Sequence, residues 1–158
     1  MIHYSVLTKE DKNNLKKMLQ LYLHDISRFF PIDFDSEKCE YIYDDIDDYF
    51  DNGEKAAIVF FNEDNIIGFS LVDKNEEEYI VQEMFILNNY KNKGYGEECI
   101  RKVFDDFRGK WVIRSLPCSE KSENFWNKTI KNYTNDSFEL ERVGKYNRAV
   151  FRFNNLEK

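Results

Sequence analysis

Between Tyr79 and Leu116 the chain changes its apolar period twice, and this segment restricts the possible folds more than any other. Tyr79 to Leu87 is rich in β-branched and aromatic residues and reads as a strand. Ile100, Val103, Phe104 and Phe107 then fall on one helical face, Gly109 stops the helix, and Trp111 to Leu116 is a further strand that Pro117 breaks. Strand, loop, helix and strand in one sheet close as a right-handed parallel crossover, because a right-twisted strand feeding a right-handed helix packs back only that way.

The flanking segments give the rest of the order. Ile2 to Leu7 reads as a strand, and Thr8 followed by Asp11 resembles a capping box. Leu15, Met18, Leu19, Tyr22, Leu23 and Ile26 recur at helical spacing up to Pro31. A second helix is expected from about Ser36 to Phe50, apolar at Tyr41, Ile42, Ile46, Tyr49 and Phe50, with Asn52-Gly53 closing it. Ala56 to Phe61 and Ile66 to Val72 form a hairpin about the turn Asn62 to Asn65. After the crossover come a helix from about Lys121 to Tyr133 and two strands, Phe138 to Val143 and Tyr146 to Phe153, around Gly144-Lys145. This is a mixed α/β order, with no repeat or linker, and one domain is expected over residues 1–158.

Charge and cysteine usage narrow the partners. The net charge of −7 argues against nucleic acid or an anionic membrane as the main partner. No apolar run approaches the roughly 18 residues of a spanning helix. Lys9, Glu10, Asp11 and Lys12 fall where a signal peptide would be apolar, so a cytoplasmic location is expected. The cysteines, Cys39, Cys99 and Cys118, are odd in number, widely spaced and without a nearby His, so no metal is expected. They read as buried reduced thiols.

The loop Lys91-Asn92-Lys93-Gly94-Tyr95-Gly96 carries the chemistry. Gly94 and Gly96 allow positive φ and close approach of a ligand. The following helix presents unpaired N–H groups and the positive end of its dipole, and Lys91 and Lys93 add charge. The expected occupant is a pyrophosphate. A P-loop is excluded, since no GxxxxGK[ST] is present, and Cys99 stands where a Rossmann fingerprint needs its third glycine.

At these residues the chain resembles the GNAT superfamily of acyl-CoA-dependent N-acyltransferases. The family signature [Arg/Gln]-x-x-Gly-x-[Gly/Ala] is matched by Lys91-x-x-Gly94-x-Gly96, with Lys in place of Arg or Gln. Glu83 to Leu87 looks like the end of the family's fourth strand. The run Gly109 to Pro117, followed by Phe125-Trp126, looks like a bacterial subgroup of acetyltransferases. The resemblance implies a central, mostly antiparallel sheet with flanking helices, whose fourth and fifth strands are parallel and splay apart. Acetyl-CoA is the implied co-substrate. Its pantetheine arm would lie between those strands against backbone groups of Met84, Phe85 and Ile86. The N–H groups of Lys91, Asn92, Lys93, Gly94, Tyr95 and Gly96 would hold its pyrophosphate. The implied reaction is direct attack by a primary amine of a small molecule or peptide on the thioester. The alternative is a non-catalytic acyl-CoA sensor or partner-binding domain.

Single residues carry the remaining expectations. Glu83, on the implied fourth strand, is the candidate general base. Trp126 stands where many members of the family carry a Tyr that protonates the leaving thiolate, and indole is no practical acid. Tyr133 is the candidate substitute, with Tyr146 behind it. Ser119 aligns with the family Asn that contacts pantetheine, and Asn124, a turn and a half further on, is a second candidate contact. His24 reads as half-exposed beside a solvated Asp25, and His3 as structural. Asp44, Asp45, Asp47, Asp48 and Asp51 lack EF-hand spacing and read as a solvated face, or as a rim attracting a cationic amine. Cys118 follows Pro117 near the expected thioester, but no Cys shows a base partner, so an acyl-enzyme is not expected. The aromatic-rich tail strands would either close this sheet or pair with a second copy in a homodimer.

Overall fold

The computed structural model describes residues 1–157. The chain forms β1 (Ile2–Val6), α1 (Lys12–Ile26), β2 (Phe34–Asp35), β3 (Glu40–Tyr41), α2 (Asp48–Asp51), β4 (Lys55–Asn62), β5 (Asn65–Lys74) and β6 (Glu78–Ile86). These are followed by α3 (Tyr95–Asp106), β7 (Lys110–Arg114), α4 (Glu120–Thr134), β8 (Glu139–Val143) and β9 (Arg148–Asn154). Seven strands make the main sheet, in the order β1-β4-β5-β6-β7-β9-β8. Only β6 and β7 run parallel, joined through α3 as the crossover requires. The tail strands close this sheet, because β9 inserts between β7 and β8.

Local chemistry explains the start of α1. The Asp11 carboxylate accepts the Thr8 N–H at 2.9 Å, and the Thr8 hydroxyl and Asp11 form the reciprocal box. Leu15, Leu19, Tyr22, Leu23 and Ile26 then bury one stripe against Phe69, Leu71 and Phe85. The opposite face of the sheet is covered by α3 and α4, which bury Ile100, Val103, Phe104 and Ile130 against Ile58, Phe60, Trp111 and Phe151.

The helix expected over residues 36–50 does not form. A short hairpin pairs Phe34 with Tyr41, and helix is confined to Asp48–Asp51. The Asp35 carboxylate accepts the N–H groups of Glu37 and Lys38, which offers the backbone a turn in place of a helix. Cys39 and Asp45 adopt φ of 59° and 65°, and left-handed residues cannot sit inside a right-handed helix. The apolar spacing that suggested a helix serves instead to bury Ile46 and Tyr49 beside α1.

A bulge in β6 prepares the site. Val72 pairs with Val81 and Leu71 with Glu83, leaving Gln82 as the extra residue. Tyr79 and Val81 therefore face α3 and α4, whereas Glu83 and Phe85 turn to the α1 side. The parallel ladder ends at the same point, its last pair being Val81 with Ile113. From Gln82 onward β6 has a neighbour only in β5, and the sheet opens into a wedge.

Candidate functional site

The wedge is a cleft of about 810 Å³. One wall is β6 from Val81 to Ile86, apart from Glu83; the other is Arg114 and Leu116 at the end of β7. Leu87 donates its N–H to Ile67 O at 2.8 Å, so the antiparallel alternation turns the backbone groups of Met84 and Ile86 away from β5. They face the cleft as an unpaired strand edge, ready for an extended ligand.

The glycine loop closes one end. Gly94 is the N-cap of α3 at φ 82°, and a Cβ there would meet nothing within 4 Å, so the glycine is required by conformation. Asn92 is also left-handed, at φ 60°. Gly96 has a different reason. A Cβ would stand 3.2 Å from the Phe125 ring, so this glycine admits Phe125 against the start of α3. Asn92, Gly94 and Gly96 line the cleft together with Lys91; Lys93 and Tyr95 do not. Lys93 instead lies over the Tyr90 ring.

Lys91 is held rather than free. Its Nζ donates to Asp25 Oδ2 at 2.8 Å and sits over the Phe85 ring. Asp25 is thus part-buried in the cleft wall, not solvated as expected, and it also binds Arg28. Burial works to raise the Asp25 pKa, but Lys91 and Arg28 outweigh it and hold the carboxyl below its usual value. His24, its neighbour, is exposed and shares a hydrogen bond with Tyr41 at 3.0 Å.

Helix α4 supplies a third side. Ser119 caps it by accepting the Ser122 N–H at 3.2 Å, and Ser119, Asn124, Phe125 and Trp126 all line the cleft. Tyr133 does not. Its ring packs on Phe104 and Phe153, and its hydroxyl donates to Asp105 at 3.0 Å and accepts from Asn155 at 3.1 Å, well inside the α3–α4 core. Tyr146 is 46% exposed on the β8–β9 turn. No tyrosine of α4 therefore lines the cleft.

Glu83 lies behind the wall rather than in it. Tyr22 of α1 donates its hydroxyl to Glu83 Oε2, and Tyr43 donates to Oε1 at 3.3 Å. Burial raises the Glu83 pKa against the opposing pull of these hydroxyls and of Arg148. Burial and the Glu83 charge push Tyr22 well above its ordinary value. Tyr22 itself lines the cleft, although Glu83 does not. Sequence periodicity marked Tyr22 only as a core position, and nothing in the pattern announced Arg28, Arg114, Lys121 or Lys128, which also line the cleft.

The other candidates lie elsewhere. Asp47 pairs with Lys12 and Lys16, Asp48 with Lys55 and Asp51 with Lys9, and none of the acidic run lines the cleft. His3 stacks on Phe61. Cys99 is buried, and burial pushes its thiol up to about 12. Cys39 and Cys118 are exposed, against expectation, and each sits in a turn at positive φ. Among the described residues, no group of three or more His, Cys, Asp or Glu is placed to hold a metal ion, and no helix is long and apolar enough to cross a membrane.

Comparison with known proteins agrees with this geometry. Residues 18–130 match the family model of the acetyltransferase (GNAT) family. No curated protein sequence matches the chain significantly. Among solved structures, a GNAT-family protein from Bacteroides thetaiotaomicron shares 20% identity over 98% of this chain and 88% of its own, with a TM-score of 0.67. The PaiA N-acetyltransferase of Thermoplasma acidophilum, in complex with coenzyme A, shares 12% identity over 98% of this chain and 99% of its own, with a TM-score of 0.63. NAA60 of Arabidopsis thaliana, in complex with acetyl-CoA, shares 14% identity over 98% of each chain, with a TM-score of 0.58. At these identities the likeness is one of fold.

Proposed function

The chain belongs to the acetyltransferase (GNAT) family, and from that premise we propose that it transfers an acetyl group from acetyl-CoA to a primary amine by direct attack. The observation that carries the reading is the unpaired edge of β6 running into a left-handed glycine loop at the start of α3. Backbone groups of Met84 and Ile86 suit the amides of a pantetheine arm as an added strand. The N–H groups from Asn92 to Gly96, with the dipole of α3, suit its pyrophosphate. Ser119, Asn124 and Trp126 flank the same space. Acetyl-CoA supplies the activated acyl group, and the protein orients it and manages protons.

Glu83 acts as general base through Tyr22. As the amine attacks, its proton passes to the Tyr22 oxygen while the tyrosine's own proton passes to Glu83 Oε2. The transfer is concerted, since the burial that raises the Tyr22 pKa disfavours a free tyrosinate. The leaving thiolate needs no residue to protonate it, because an ordinary thiol already ionises near about pH 8.5. This fits the absence of a tyrosine where Trp126 stands. Two exposed unpaired thiols fit a reducing, cytoplasmic setting.

Calorimetric titration with acetyl-CoA, with ATP and NAD as controls, tests the co-substrate. Micromolar binding of acetyl-CoA alone supports the reading, and none would remove it. Turnover against a panel of amines tests the reaction; binding without turnover would leave an acyl-CoA sensor in its place.

A further inference from the structure

The arginines of strands β7, β8 and β9 fall into two groups. Arg142 pairs with Glu123, and Arg152 pairs with Glu78 and Glu141. Among the described residues, neither Arg114 nor Arg148 has a carboxylate within ion-pair distance. Arg114 lies at the wedge, and Arg148 stands beside it in the sheet without lining the cleft. Arg114 ends β7, lines the cleft and pairs across to Val150, which shares a sheet face with Arg148 two residues away. The two side chains are thus diagonal neighbours on the face that Glu83 also uses. Arg148 is held there by its Nε, which donates to Ser115 O at 2.9 Å.

Burial lowers the Arg148 pKa, and the Arg114 charge lowers it further, while Glu83 works the other way. Glu83 carries a single negative charge, and its two oxygens accept from Tyr22 and Tyr43. Glu83 acts on Arg148, while Arg114 has no carboxylate within ion-pair distance among the described residues, which leaves one positive charge unmatched where Arg114 lines the cleft. In a chain of net charge −7, such an excess is a local arrangement rather than a general trend.

We infer that Arg114 and Arg148 grip a carboxylate of the acceptor, so that the substrate is an amine bearing a carboxylate, in the manner of an amino acid or a peptide end. A monoanion neutralises the surplus charge, whereas a phosphate dianion would overshoot it beside Glu83. Guanidinium forks also match carboxylate geometry. The grip would set the amine at Tyr22 by distance from the arginines. The inference rests on the acetyltransferase reading above.

The test uses the full-length protein saturated with coenzyme A and two small probes that mimic the product end. N-acetylglycine carries the carboxylate, and N-methylacetamide lacks it. Chemical shifts of the arginine Nε–H groups report binding. N-acetylglycine should bind about tenfold or more tightly than N-methylacetamide, the worth of a charge-assisted pair, and perturb the Arg114 and Arg148 signals. Arg114→Gln should erase the preference, and Arg148→Lys, which keeps charge but loses the fork, should weaken it in part. Equal binding of the two probes, no binding of either, or a preference untouched by Arg114→Gln would overturn the inference. Failure of acetyl-CoA itself to bind would instead strike the reading beneath it.

Discussion

Tyr22 and Glu83 show how one side chain can stand for another at a cleft wall. In the proposed reaction Glu83 would take up the proton and Tyr22, which lines the cleft, would pass it on. Tyr22→Phe should therefore lower kcat by about 100-fold or more, the scale of general-base catalysis, with acetyl-CoA affinity unchanged by calorimetry. Retained turnover in that variant would detach Glu83 from the reaction. Burial raises the Glu83 pKa, so the rising acid limb of kcat/KM should lie above the ordinary carboxylate range and vanish in Glu83→Gln. Stability carries the same signature with a definite sign. Between the unfolded and the raised folded pKa the native state binds more protons, so stability falls as pH rises through that window. Urea midpoints measured across it should slope downward in the native protein and flatten at that position in Glu83→Gln.

At the scale of elements, the bulge at Gln82 and two glycines govern whether the wedge exists. Gly68 lets β5 pass β6 closely: a Cβ there would stand 2.1 Å from the Phe85 carbonyl oxygen, which is backbone and cannot swing aside. Gly68→Ala should cost about 1–3 kcal/mol in urea unfolding, the usual penalty of overpacking, and should weaken acetyl-CoA binding because β6 must shift. Gly94→Ala meets no neighbour, and its cost is conformational, about 1–2 kcal/mol for a left-handed alanine. Acetyl-CoA binding should fall in that variant too, as the start of α3 loses its geometry. If calorimetry found the affinity intact, the loop would not be the pyrophosphate site. Ser119 caps helix α4 and doubles as cleft lining.

For the whole molecule, two cores lie on opposite faces of one sheet, and across the wedge that sheet is continuous where β6 and β7 remain paired. A ligand filling the wedge stabilises the native state alone. Acetyl-CoA at about 100 times its Kd should add about 2.7 kcal/mol, which for a chain of this size raises Tm by about 5–10 °C. Thermal unfolding with acetyl-CoA, and with ATP as control, checks this; equal shifts would mean a general anion effect. Much of the architecture was legible from local signals. The capping box at Thr8, the hairpin about Asn62–Asn65, the crossover from Tyr79 to Leu116 and the loop Lys91–Gly96 all rest on spacing and backbone preference, which act between near neighbours in the chain. Residues 36–50 misled because helical spacing there met competing turn hydrogen bonds, and the sequence pattern does not rank the two. Tyr133 looked available until the fold drew its hydroxyl to Asp105 and Asn155, from α3 and the chain end. Tyr22 beside Glu83, Asp25 beside Lys91, and Arg114 beside Arg148 are 61, 66 and 34 residues apart in the chain. Their partnership depends on a one-residue bulge and on where a ladder stops. Local chemistry thus determines most of the elements and the glycine loop, whereas contacts between distant segments decide which side chains meet at the cleft, because pairing register and burial are properties of the assembled sheet.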